Sequence, residues 1–342
     1  MAKPLRTRLF RWASVLTLCL CIAYGIGVLA VWLAIRFAGD RWWPATVALF
    51  FPRWVWGVPA LGLLPLTLIF RRRWSWSPFV FGLTALFALS GFRAPLWRPA
   101  PGNQSFRIVS ANLHNGEADG RVLNDFLQKT QPDVVALQEY DRRTKLPYIH
   151  QPGWHIAQFS HMVLASRWPV TLVPGRLLDD GKATPNEYKL DTEIWAIAVP
   201  YDIEMPGGPV RVISLHLASP HQALGLMRRE RDLAVDLLKS NSARRALELK
   251  ALRSEADDMG GKVILVGDFN TPSDSPIFRD AFSGYQDAFD SIGFGFGTSY
   301  AKHHTSLRID HVLYGSDWKC RRCYTGNDVG SGHHALLADM TR

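Results

Sequence analysis

Carboxylates are nearly missing from the first hundred residues of this 342-residue chain: Asp40 stands alone there against twelve lysines and arginines. The whole chain carries 39 basic and 30 acidic residues, so its formal +9 divides into +11 for residues 1–100 and −2 for the remainder. A basic protein ordinarily invites a nucleic-acid reading. Here the positive charge flanks apolar runs instead, as membrane-adjacent charge does. Cysteine is scarce too. Of the four, Cys19 and Cys21 lie inside an apolar run, and Cys320 and Cys323 form a lone CxxC without the second ligand pair of a zinc site. That pair is compatible with a local disulfide in an oxidising compartment or two free thiols in a reducing one. No internal repeat and no low-complexity tract is visible.

What the first hundred residues do have is length without charge. Trp12 to Ile35 is 24 uncharged residues, Trp54 to Phe70 is 17 and Trp74 to Phe92 is 19. A helix needs roughly 20 residues to cross the hydrocarbon core, and about 17 suffices. Nine of the thirteen tryptophans fall in this region, with Trp42, Trp43, Trp54 and Trp74 at segment ends, where an aromatic belt would put them. The first run is too long for a cleaved leader and lacks a convincing cleavage site. The expectation is an all-α transmembrane region over 1–92, of about three helices near 12–35, 54–70 and 74–92, in an inner or plasma membrane. Lys3, Arg6, Arg8 and Arg11 precede the first run and Arg71–Arg73 separate the second from the third. With both loops cytoplasmic, three crossings place the rest of the chain outside, although Arg36, Arg41 and Arg53 oppose this.

Residues 93–104 are rich in proline and read as a linker. From 105 to 342 strand and helix patterns alternate. "FRIVSANLH", "DVVALQEY", "HMVLASRWPV", "EIWAIAVP", "GPVRVISLHLAS", "KVILVGDFN" and "LRIDHVLYG" read as strands, "RVLNDFLQKTQ" as a short amphipathic helix, and 221–258 as helical. This is the pattern of an α/β domain.

Polar residues keep appearing where the apolar strands end: Asn112, Glu139, His216, Asp268 with Asn270, Asp310 and His333. Each alone has an ordinary explanation, as a turn amide, a solvated carboxylate or a hydrogen-bonded core histidine. Together they are the parts needed to hydrolyse a phosphate ester. A hard divalent cation takes oxygen ligands and polarises a phosphoryl oxygen. A carboxylate orients the attacking water, and imidazole and amide donors stabilise transition-state charge.

The pattern resembles the endonuclease/exonuclease/phosphatase superfamily, the DNase I-like metal-dependent phosphohydrolases, over about residues 104–342. The motifs that carry the resemblance are "SANLHN", "PDVVALQEY", "VISLHLASP", "VGDFNTP", "LRIDHVLYG" and "SGHHALLADM", in that order. It implies a four-layer α/β/β/α sandwich with the site at the shared edge of two sheets, and Mg2+ or Mn2+ as cofactor. It also implies Asn112 and Glu139 at the metal, His216 stabilising the transition state and Asp268 activating water. Asn270 would hold the phosphate, and Asp310 would buttress the catalytic imidazole of His333. Strand alternation predicts that Asp268 and Asn270 point one way and Phe269 the other.

Two positions depart from the family pattern. Gly332 stands where the closing motif carries an acid, with Asp328 four residues earlier as a substitute. His114 stands two after Asn112, where nuclease members are often acidic. His334 is an alternative to His333 in a shifted register, and His311 reads as packing. The expected activity is that of a membrane-anchored phosphodiesterase or phosphatase on a phosphorylated lipid or small molecule. The alternatives are a membrane-tethered nuclease and a homologue that binds a phosphorylated ligand without turnover. The near-neutral charge of residues 101–342 opposes the nuclease. "GFGFGTSY", Gly293 to Tyr300, is a candidate lipid-facing loop.

Overall fold

The computed structural model of the protein describes residues 3–70, 76–97, 99–173, 197–302 and 305–342. They divide into two units, Met1–Phe92 and Arg93–Arg342.

In the first unit, α1 (Lys3–Leu33) runs on through a π-helical turn at Ala34–Ala38. Thr7–Ala38 is long and apolar enough to cross a membrane. Where the sequence reads as three spans, the described helices provide this one, or two if a bent pair counts as a span. The bent pair is α2 (Trp43–Phe50) and the segment containing α3 (Val58–Ile69), which meet at 92°. Pro52 accounts for the bend: it supplies no backbone N–H and forces Phe51 into extended geometry. The bend lies ahead of the uncharged run from Trp54, which is helical over Arg53–Ile69 and starts as a short 3-10 turn at Arg53–Gly57. The third run yields α4 (Trp76–Leu89), 14 residues, which reach only about 21 Å of a ~30 Å hydrocarbon core. Trp74 and the basic loop Arg71–Arg73 lie outside the described residues. Cys21, Ala60, Leu63 and Phe79 form a small core within this unit.

The second unit is built on two six-stranded sheets. The first contains β1 (Ser105–Asn112), β2 (Val134–Gln138), β3 (His155–Phe159) and β4 (Met162–Ser166). With β13 (Lys319–Asp328) and β14 (His334–Thr341) its order is β13-β14-β1-β2-β4-β3. The second contains β5 (Val170–Leu172), β6 (Ile197–Ile203), β7 (Val210–His216) and β8 (Val263–Asp268). With β9 (Gln286–Asp287) and β12 (Asp310–Tyr314) its order is β5-β6-β7-β8-β12-β9. A separate hairpin joins β10 (Tyr300–Lys302) to β11 (Thr305–Leu307). Each sheet holds one parallel pair, β1/β2 and β7/β8, flanked by antiparallel neighbours. The strand read from Glu193 begins outside the described residues, and β6 is its described part.

Period-two geometry sorts the apolar residues onto two faces. Ile108, Val134, Ala136 and Leu164 of the first sheet meet Val199, Val212, Ile264 and Val266 of the second in the central layer. The alternate residues Val109, Val135 and Leu137 pack outward with Leu123 and Leu127 of α5 (Gly120–Thr130). On the opposite face Ile213, Leu215 and Leu265 pack against Leu249, Leu252 and Ala256 of α7 (Arg231–Asp258), which follows the short α6 (His221–Leu226). The short α8 (Pro276–Ala281) adds Phe278, and Phe269 joins this outer cluster. The result is a four-layer α/β/β/α sandwich. Strands covered on both faces need continuous apolar runs, which is why β2 and β8 show no polar alternation. Cys320 and Cys323 are unpaired thiols in the central layer. Residues 93–104 hydrogen-bond to this unit: Arg93 and Gly295 exchange backbone bonds of 2.8 and 2.9 Å, and Gln104 and Arg342 bonds of 3.1 and 2.9 Å.

Candidate active site

Strand register brings the polar strand ends together. In the second sheet His216, Asp268 and Asp310 are cross-strand neighbours at the ends of β7, β8 and β12. In the first sheet Asn112 ends β1, Glu139 follows β2, and His333 precedes β14. Gly267 permits this register. A Cβ there would lie 2.0 Å from the Leu215 carbonyl oxygen, and its φ of +138° belongs to glycine.

The Asn112 amide joins the two sheets. Its Nδ2 donates to Glu139 Oε1 and to Asp268 Oδ2, each at 3.0 Å, while its Oδ1 accepts from the His114 backbone N–H at 2.9 Å. Asp268 Oδ2 lies 3.9 Å from Nε2 of both His216 and His333. His216 Nε2 is also 3.4 Å from Glu139 Oε1. Asn270 lies beyond the end of β8 in the left-handed region, φ 47°, so strand alternation does not set its direction. Two hydrogen bonds do: its N–H donates to Asp268 Oδ1 and its Nδ2 to the Leu217 carbonyl, both at 2.8 Å. Buried Arg245 on α7 steadies the next residue by donating to Thr271 Oγ1 at 3.1 Å.

Electrostatics separates the two histidines. Burial pushes His216 down to about 4, so it is neutral at pH 7, and its buried Nδ1 has no hydrogen-bond partner among the described residues. Burial also opposes charge on His333, but Asp310, bonded at 3.0 Å, holds it up at about 9. Burial and the nearby Asp310 carboxylate push Asp268 up to about 7. Asp310 keeps a second oxygen, Oδ1, buried without a partner among the described residues. Carboxylates crowded this way call for positive charge, and oxygen donors from Glu139, Asp268 and Asn112 suit a hard cation. For Asn112 to be a ligand its amide would present Oδ1, the atom now bonded to His114.

Other positions resolve differently. Asp328 is exposed and its Oδ1 accepts from the N–H groups of Gly330 and Gly332 at 2.8 and 3.0 Å, so it organises the loop before His333. His334 turns away and bonds the Gly326 carbonyl at 2.9 Å. His311 packs against Phe269 and Phe278 and also contacts Asp287 Oδ2 at 2.6 Å. Several neighbours were not read from the sequence. His161 places its ring 6.1 Å from that of His216, and the Tyr300 ring stands edge-on to His333 at 4.9 Å. Ser331 Oγ bonds the Asn112 carbonyl at 2.8 Å, and Ser299 Oγ receives the N–H of Asp310 at 2.9 Å. His161, Ser299 and Ser331 sit on loops, and Tyr300 opens the three-residue β10; only the tertiary fold sets their positions.

Sandwich and site together define a DNase I-like hydrolase of phosphoric esters. The model of the Endonuclease/Exonuclease/phosphatase family matches residues 109–332, and the chain belongs to that family. Solved structures with the same fold include D. rerio TDP2 complexed with single-strand DNA product, 14% identical, TM-score 0.50, covering 70% of this chain and 100% of that one. Another is an endonuclease/exonuclease/phosphatase family protein from Bacteroides thetaiotaomicron, 15% identical, TM-score 0.50, covering 71% of this chain and 98% of that one. A mannosyl-6-phosphatase from the same species is 15% identical with TM-score 0.50, covering 69% of this chain and all of that one. A search of curated proteins found no match.

Proposed function

We propose that the protein is a membrane-anchored, divalent-metal-dependent phosphodiesterase or phosphatase acting on a lipid or small phosphorylated molecule. The observation that carries this reading is the convergence of Asn112, Glu139, His216, Asp268, Asn270, Asp310 and His333 at one edge of the two sheets. Glu139 and Asn112, with Asp268 adjoining, would hold Mg2+ or Mn2+. Bound there, the ion would polarise a phosphoryl oxygen and ease departure of the leaving group. Asp268 orients and deprotonates the attacking water. His333, charged through Asp310, stabilises the developing oxyanions with its Nε2–H. His216 and the free Asn270 amide hydrogen serve as further donors to the phosphoryl group. Asp268, Asp310 and His333 also bring ligand atoms within 4.8 Å of one another. The 3.0 Å bond between Asp310 and His333 favours proton handling for that pair, which Asp268 adjoins.

Anchoring rests on Thr7–Ala38, with its basic start on the cytoplasmic side and, for one crossing, the catalytic unit outside. Leu96 and Trp97, with Phe294 and Phe296 near the Arg93–Gly295 bridge, are exposed apolar side chains that favour a substrate near a membrane surface. The test is hydrolysis by the full-length protein in detergent, with Mg2+ or Mn2+, of an aryl phosphodiester, plasmid DNA and mixed phospholipid vesicles. Activity that disappears with chelator and in Asp268→Ala supports the reading and names the substrate class. Cleavage of plasmid alone would make it a tethered nuclease. No cleavage of any substrate would leave a phospho-ligand-binding homologue.

A further inference from the structure

The paired strands β10 and β11 also reach the rim of the site. They are tied to the site by backbone hydrogen bonds: Ala301 N–H donates to Gly332 O and His334 N–H to Ser299 O, both at 2.7 Å. Tyr300 and Lys302 are two apart on β10, so both side chains fall on one face of the strand. For Tyr300 that face meets the ring of His333. For Lys302 it meets Gly332: a Cβ on Gly332 would lie 3.3 Å from Lys302 Cδ and 3.4 Å from its Cβ. The space that a side chain at position 332 would enter is therefore lined by the stem of a lysine. Burial raises the phenol of Tyr300 above its ordinary value.

The Lys302 ammonium ends 3.2 Å from Glu117 Oε2, which also lies 3.3 Å from His114 Nδ1. The pair is open to water, with side-chain exposures of 35% and 57%. An ion pair this exposed holds its partners weakly, and His114 offers Glu117 another contact. An incoming anion can thus take the ammonium without leaving a buried charge behind.

We infer that Lys302 is the substrate-selecting residue of the site, binding a second negative charge on the phosphoryl group so that phosphomonoester dianions are preferred to monoanionic diesters. This deepens the phosphoesterase reading and rests on it. A phosphomonoester has its second pKa near 6 and is largely a dianion above pH 7, whereas a diester carries one charge. A strongly hydrated point charge on a flexible stem reads that difference through charge.

The experiment compares full-length wild type, Lys302→Gln and Lys302→Arg in detergent with Mn2+ at pH 7.5, on p-nitrophenyl phosphate and bis-p-nitrophenyl phosphate. The expected result is a fall of about tenfold in the monoester-to-diester ratio of kcat/KM for Lys302→Gln. The fall comes through KM for the monoester, and Lys302→Arg restores most of it. An unchanged ratio overturns the inference. A second readout needs no turnover: inorganic phosphate should raise the melting temperature of the Mn2+-loaded wild type more than that of Lys302→Gln. If wild type hydrolyses neither ester, the phosphoesterase reading fails, and the phosphate shift decides the role of Lys302 alone. An equal shift in both proteins, or none in either, counts against it.

Discussion

His333 and Asp310 form a buried pair, Nδ1 to Oδ2 at 3.0 Å, with only 8% and 2% of the two side chains exposed. The carboxylate fixes the orientation of the ring and keeps it charged. Asp310→Asn should therefore lower kcat by about 10²–10⁴-fold with a small change in KM, the scale of removing an orienting carboxylate. The His333 titration, followed by NMR, should fall from about 9 toward the ordinary histidine value. An unchanged titration with unchanged kcat would remove the pair from the mechanism.

The same groups set a pH dependence of stability. His333 is raised in the fold to about 9, so its contribution is fully present below its unfolded value and is lost as pH rises through 9. Asp268 is raised to about 7, which favours the protonated carboxyl. Its contribution is present below the unfolded value near 3.8 and is lost as pH rises through 7. Both losses run the same way. The metal-free protein should become less stable from about pH 4 to 9 through these groups, and Mg2+ should restore more at pH 8 than at pH 5. Melting curves with and without Mg2+ at the two pH values check this; an equal gain at both would contradict it.

Gly267→Ala should prevent the second unit from folding. The added methyl would meet the backbone of β7, and a backbone cannot move aside as a flexible side chain can. We expect a cost of about 3 kcal/mol or more, visible as lost expression or a collapsed melting transition. Phe269→Ala, which empties a fully buried position, should cost about 3–5 kcal/mol yet leave a folded, weakened protein.

Gly332→Asp should not improve metal binding. Gly332 has φ +85°, and a side chain there would crowd Lys302 and Tyr300. The expected outcome is a lower melting temperature, by a strain of about 1–2 kcal/mol, with unchanged or weaker Mn2+ affinity by calorimetry. A tighter Mn2+ complex would mean that the loop accepts an acid as a ligand.

The sequence made the strand ends legible because register and polarity coincide there: an apolar run of period-two residues that stops at Asp268 or Glu139 announces a buried strand with a polar mouth. Glu117, Tyr300 and Lys302 were not legible, since a hairpin and a 3-10 turn carry them to the rim and neither has a periodic pattern. Strand alternation predicts the direction of Asn270, but its left-handed backbone and two hydrogen bonds set it instead. The helix at 221–258 breaks into α6 and α7 around Met227–Glu230, a charged stretch without buried anchors. In the first unit, charge-free length shows neither the bend at Pro52 ahead of the second run nor that the third yields a helix of only 14 residues.

The central proposal is that Glu139 and Asn112 hold a catalytic divalent cation beside the phosphoryl group, with Asp268 adjoining as the base. The most direct measurement is hydrolysis as a function of Mg2+ concentration for the full-length wild type and Glu139→Gln. Losing the carboxylate should move the half-saturating Mg2+ concentration up at least tenfold, with excess metal recovering part of the rate. A Glu139→Gln enzyme with an unchanged Mg2+ requirement, or a wild type indifferent to chelator, would contradict the account.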